Sequence, residues 1–170
     1  MEKLTLSLNQ PGLDDLAYRE KWLNDPQTMA YNHACGGTVP FPRERWADWY
    51  ARWIGGEGAR YYRYLRLGGS GEMVGSIAYY YDGQFDGYLC EVLVSAPYRG
   101  RGFGRQGLAL LCEAAGANGV KRLLDMIAVD NPVAVALFLR SGFRERMRTG
   151  EFILVEKELI STPTTGIPTE

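Results

Sequence analysis

Between residues 91 and 108 an apolar strand, a short turn and an amphipathic helix follow one another with glycines at the junction. This restricts the chain to folds that set a strand end beside a helix N-terminus. The strand closes on Val92, Leu93 and Val94, and Leu108, Leu111, Cys112 and Ala115 recur at i, i+3, i+4 and i+7, one helical face. Glycine enters the left-handed backbone region at little cost, so Gly100, Gly102 and Gly104 can turn N–H groups toward one point. A helix N-terminus adds unpaired N–H groups and partial positive charge there. Arg99, Arg101 and Arg105 surround the turn with fixed charge. The combination suits a phosphate or pyrophosphate.

Two loop patterns fit these residues. Gly102-Phe103-Gly104-Arg105-Gln106-Gly107 reads as G-x-G-x-x-G, the dinucleotide fingerprint, with Asp125 spaced as a ribose ligand. That fingerprint needs its first glycine directly after the strand, whereas residues 96–101 intervene, and Asp125 falls inside the next predicted strand. Arg99-x-x-Gly102-x-Gly104 fits better an R/Q-x-x-G-x-G/A loop preceded by a V-x-V strand end, Pro97 and Tyr98. In this the segment resembles the GCN5-related N-acetyltransferase (GNAT) family, whose loop grips the pyrophosphate of acetyl-coenzyme A. A purely structural glycine turn is the bland alternative.

At 170 residues the chain has length for one domain with a substantial core. Nineteen basic against twenty acidic residues leave a net charge of −1, so no global field recruits nucleic acid or an anionic membrane. Cys35, Cys90 and Cys112 are scattered without metal-ligand spacing, and His33 is the only histidine, so no metal is expected. Free thiols, the lack of a long apolar run and a start unlike a signal peptide make a cytoplasmic location the expectation.

Read in order, residues 3–8 alternate as a half-buried strand and residues 13–23 have helical spacing. A loop or broken helix is expected over 29–40, then a helix with Trp46, Trp49, Tyr50 and Trp53 on one face. That aromatic stripe reads as core before it reads as a ligand cage. Residues 60–67, 72–81 and 87–94 predict a three-strand antiparallel meander, with Tyr79, Tyr80 and Tyr81 alternating between faces. A helix over 104–118 and a strand over 123–129 follow. Asn131 and Pro132 then open a helix that Gly142 stops, and strands over 143–147 and 151–159 close the domain.

This succession, β-α-α-β-β-β-α-β-α-β-β, also resembles the GNAT layout. Asn131, Ala134, Leu137, Phe138, Gly142 and Phe143 look like that family's second signature, N-x-x-A-x-x-L-Y-x-x-x-G-F. The resemblance implies an α/β (α+β) fold: a mixed, mostly antiparallel sheet of six to seven strands with about four helices, splayed between the fourth and fifth strands. It sets one acetyltransferase domain over 1–160, with a flexible tail expected over 161–170.

The same resemblance implies direct transfer from acetyl-coenzyme A, as cosubstrate, to a primary amine on a small molecule, protein N-terminus or lysine. A non-catalytic acyl-coenzyme A sensor on the same fold is the alternative. Val92, Leu93 and Val94 would offer main-chain bonds to the pantetheine arm. Arg99, Gly100, Arg101, Gly102, Phe103, Gly104 and Arg105 would hold the pyrophosphate, and Asn131 would touch the arm. Phe138 replaces the tyrosine that usually protonates the leaving thiolate, so it is assigned cofactor packing and no general acid is assigned. Glu91, Asp125 and His33 are the candidates for removing a proton from the amine. A homodimer through the sheet edge is a family expectation.

Overall fold

Alternating strands and well-marked turns dictate most of the path. The computed structural model describes residues 4–56 and 59–160. Its strands are β1 (Leu6–Asn9), β2 (Arg60–Leu67), β3 (Met73–Asp82), β4 (Gly87–Val94), β5 (Arg122–Ala128), β6 (Arg144–Arg148) and β7 (Phe152–Glu158). Its helices are α1 (Leu16–Asn24), α2 (Trp46–Trp53), α3 (Phe103–Ala117) and α4 (Pro132–Arg140). The segment expected as a loop or broken helix after α1 is a 3-10 helix over Thr28–Cys35. The tail expected over 161–170 lies outside the described residues.

The seven strands form one sheet in the order β1-β2-β3-β4-β5-β7-β6. All neighbours are antiparallel except β4 and β5. That parallel pair is short: Tyr88 opposes Leu123, Leu89 opposes Leu124, and there the pairing stops. Past that point β4 stays with β3 and β5 stays with β7, so a wedge opens between them. The expected mixed sheet, splayed between its fourth and fifth strands, is the one observed. Leu89, Leu124 and Leu154 cluster at the closed end of the wedge.

Two apolar layers clamp the sheet. On one face Leu16, Trp22, Trp46 and Trp49 from α1 and α2 pack on Tyr62, Tyr64, Ala78 and Leu93. The tryptophan stripe is therefore core, with Trp49 edge-on to Tyr62 at 4.8 Å. On the other face α3 and α4 bury Phe103, Leu108, Leu111 and Phe138 against Leu65, Ile77, Cys90 and Leu123. Gly75 answers a specific need where β3 bulges past the Leu65/Arg66 step. A Cβ there would stand 2.0 Å from the Leu93 carbonyl oxygen of β4. The outer strand β6 is exposed along its length and carries Arg144, Glu145, Arg146 and Arg148, which discourages pairing with a foreign strand.

Candidate functional site

Main-chain direction in β4 follows from its neighbours. Ser95 donates its N–H to the Val74 carbonyl at 2.9 Å, and the Leu93 carbonyl lies against Gly75. Leu93 and Ser95 thus turn their peptide groups to β3, and strand alternation turns those of Val92 and Val94 into the wedge. The Val94 carbonyl already accepts from Arg99 Nε at 3.0 Å. Of the three main-chain partners expected for an extended arm, Val92 and Val94 face the opening and Leu93 faces away, its side chain buried beneath α1 and α2.

At the mouth of the wedge the chain turns into α3 through two left-handed glycines, Gly100 (φ 75°) and Gly102 (φ 79°). Among the described residues no main-chain N–H of residues 100–105 donates within the protein; the next one, Gln106, donates to the Gly102 carbonyl at 3.2 Å. These six successive unpaired donors beside a helix N-terminus form a cradle whose polarity suits an anion. Arg101 and Arg105 are exposed and belong to none of the ion pairs among the described residues.

Arg99 behaves differently. Besides Val94, its guanidinium donates to the carbonyls of Gln27, at 3.1 Å, and Thr28. It is a clamp that fixes the 3-10 segment on the end of β4. Thr28 reinforces the clamp: its hydroxyl accepts from the Ala96 N–H at 3.0 Å and donates to Asp25 at 2.6 Å. That bond, above all, holds the Asp25 carboxyl below its ordinary value. Phe103 contributes only its main chain to the cradle, because its ring is 1 % exposed. Asn131 caps α4, its Oδ1 accepting from Ala134 N–H at 3.3 Å. Phe138 is a core ring, edge-on to Phe143 at 4.9 Å.

Two carboxylates flank the point where pairing ends. Glu91 is exposed and shares a face with Leu89 and Leu93, toward α1 and α2. Asp125 occupies the first position of β5 past the last pair, on the face of Leu123 and Ile127, toward α3 and α4. It keeps slight solvent contact, but burial and then the charge of Glu91 push its carboxyl up to about 8. Cys90 lies beside it, and burial first, then Asp125, drive that thiol well above its ordinary value. A buried neutral thiol is a poor nucleophile.

Two further residues were not singled out by sequence reasoning. Tyr31, half-buried in the α1/α2 layer, has no hydrogen-bond partner for its hydroxyl among the described residues. Burial first, then Glu91, raises its pKa, and the charge of Asp125 reaches it too. Arg19, on α1, lies among Phe41, Trp49 and Tyr62. A signal existed for Arg19: with Leu16 and Leu23 it falls at i, i+3 and i+7, a charge in line with the buried leucines of α1. Of the three consecutive tyrosines, Tyr79 fills the α3/α4 core, Tyr81 is exposed, and Tyr80 contacts Trp53 at 5.9 Å on the Glu91 face.

His33 does not join the two carboxylates at the wedge. Its Nε2 lies 2.6 Å from Asp130 Oδ2, beyond the end of β5, and its Nδ1 lies 3.2 Å from the Ala30 carbonyl. The 3-10 segment is thus tied to β4 at Thr28 and to the β5–α4 turn at His33, spanning the open end of the wedge. The Asp130 bond, then the Ala30 carbonyl, raise the imidazole pKa. A raised histidine stabilises the tether fully below its unfolded pKa and loses it as pH rises through the folded value. Hydrogen exchange of residues 28–35, corrected for its intrinsic pH dependence, is expected to speed up by up to about fivefold from pH 6 to pH 9 in the wild type. Asp130→Asn should abolish the change, and equal protection at both pH values in the wild type would refute the tether.

A family model described as acetyltransferase (GNAT) family matches residues 19–143. An uncharacterized N-acetyltransferase of Bacillus subtilis (strain 168), YycN, is 32 % identical over 62 residues, which are 36 % of this chain and 40 % of that protein. The match therefore spans well under half the length of that curated relative. An acetyltransferase from Thermus thermophilus superposes with a TM-score of 0.70 at 26 % identity, covering 94 % of this chain and 100 % of that one. A domain from Methanocaldococcus jannaschii DSM 2661 gives 0.74 at 19 % identity, covering 92 % and 99 %. Spermidine N-acetyltransferase from Vibrio cholerae, in complex with CoA and spermine, gives 0.69 at 17 % identity, covering 92 % and 96 %. At such identities the last two likenesses concern fold.

Proposed function

The chain belongs to the acetyltransferase (GNAT) family, and on that premise we propose that it transfers the acetyl group of acetyl-coenzyme A directly to a primary amine. The observation that carries this reading is the wedge between β4 and β5 with the anion cradle of residues 100–105 at its mouth. An extended arm suits the wedge and a pyrophosphate suits the cradle. The residues present fit the cosubstrate, which supplies an activated thioester. The rest of the chemistry falls to the chain.

The Val92 and Val94 N–H groups bind along the wedge, and that of Val94 polarises the thioester carbonyl, a donor whose loss typically costs about 3–4 kcal/mol of barrier. Glu91 takes a proton from the incoming ammonium, directly or through water. The thiolate formed when the C–S bond breaks needs a proton that Phe138 cannot give. Asp125 is suited to the task, because a carboxyl near 8 is mostly protonated at neutral pH and matches a thiol near ~8.5. Arg101 and Arg105 complement the phosphates, and Arg99 positions the cradle. Phe103 and Gly104 contribute main-chain donors, and Asn131 holds α4 in place.

Calorimetric titration with acetyl-coenzyme A tests the cradle. Gly102→Glu introduces a carboxylate and a Cβ at a left-handed position, and it is expected to weaken binding at least about tenfold. Unchanged affinity would refute the assignment. Amine-dependent thiol release then separates an enzyme from a non-catalytic sensor that only binds.

A further inference from the structure

Tyr62, Ala78 and Glu91 stand opposite one another on β2, β3 and β4, so they form one row on the α1/α2 face of the sheet. Strand spacing puts the outer two backbones about 10 Å apart, with only a methyl group between. Above Tyr62 sits Arg19, its guanidinium carbon 5.2 Å from the Tyr62 ring, 4.6 Å from that of Trp49 and 5.2 Å from that of Phe41. One terminal nitrogen reaches the Tyr62 hydroxyl at 3.4 Å, and Nε is buried without an acceptor. No carboxylate pairs with Arg19 among the described residues. Aromatic faces favour a cation but accept no hydrogen bond in the guanidinium plane, so the fork lacks its matching planar anion.

The row thus ends in a negative group at Glu91 and a positive group at Arg19, too far apart to neutralise each other by contact. We infer that Arg19 receives a carboxylate of the acceptor, so that the acceptor is an amino acid or related amine whose acid group lies a few atoms from the nitrogen. This rests on the acetyl-transfer reading above. It separates acceptor class from fold, because the second ammonium of a polyamine would meet Arg19 at the place where an acid is favoured. Burial works against the charge of Arg19, Tyr62 and then Glu91 favour it, the net direction is upward, and a zwitterion satisfies both ends.

The test uses the full chain with acetyl-coenzyme A and amines differing only at the acid: tyrosine, tyrosine amide and tyramine; β-alanine and its amide; and spermidine as the polycation. Thiol release is expected to show kcat/KM at least about tenfold higher for the better acid than for its own amide, with spermidine poorer still. Arg19→Met keeps the packing and removes the fork; the advantage should then fall to about twofold or less, through KM. A wild type that prefers the amide or spermidine, or a folded Arg19→Met that keeps the acid preference, overturns the inference. If Arg19→Met does not fold, the wild-type order alone decides. If no amine is turned over, the enzymatic reading fails separately. The anchor is then judged by thermal shift in the presence of acetyl-coenzyme A: greater stabilisation by the acids than by their amides supports it, and equal shifts overturn it.

Discussion

Glu91→Gln is expected to lower kcat/KM about 10²- to 10⁴-fold at neutral pH while leaving acetyl-coenzyme A affinity unchanged, provided an acceptor amine is in hand. The side chain is exposed and the amide is nearly isosteric, so packing has no reason to change, and the one stability effect expected is through the charge felt by Asp125. An alkyl amine of pKa about 10 arrives protonated, and at neutral pH only about a thousandth of it is free base. Without a carboxylate to take the proton, turnover depends on that fraction, and the deficit should shrink as pH rises toward 10. Initial rates of thiol release across pH 6–10 check both features together. Full activity at neutral pH would remove Glu91 from the chemistry. A uniform deficit at all pH values would make it a binding group instead of a base.

The glycine turn into α3 was legible because its geometry is local. Glycines spaced for left-handed turns are found at φ 75° and 79°, and the helix starts directly after the second. The β2–β3–β4 meander was legible for the same reason, since short turns join its strands, whereas the placing of β7 between β5 and β6 has no local mark. Side-chain destinations were not legible. Arg99 stands beside the cradle in sequence, yet its guanidinium is engaged by carbonyls of residues 27 and 28, brought there by a segment 71 or more positions away. His33 pairs with Asp130 across 97 positions, which no local pattern encodes. Phe103 lies in the loop motif, but helical phase turns its ring into the core. Arg19 was not read either, although its spacing from Leu16 and Leu23 is a local trace of its inward position on α1.

Asp125→Asn is expected to raise stability by about 2–4 kcal/mol at pH 8 and to slow acetyl transfer. The folded carboxyl titrates near 8 against an ordinary value of 3.8. Because the folded value is raised, stability is greatest below the unfolded pKa, falls as pH rises between the two, and levels off above about 8. At roughly 1.4 kcal/mol per pH unit the full span would approach 6 kcal/mol; slight solvent contact and coupling to Glu91 reduce it. Asparagine has no proton to lose, so chemical denaturation at pH 5, 7 and 9 should show a declining wild type and a flat variant. Parallel curves would place Asp125 in an ordinary solvated environment. Glu91→Gln also removes the negative charge that helps raise Asp125, so the two substitutions should not add, and the double variant isolates their coupling. A carboxyl raised in this way should weaken the fold at neutral pH, a cost that packing does not explain. Its place at the opening of the wedge is where, on the acetyl-transfer reading proposed above, a thiolate would need a proton.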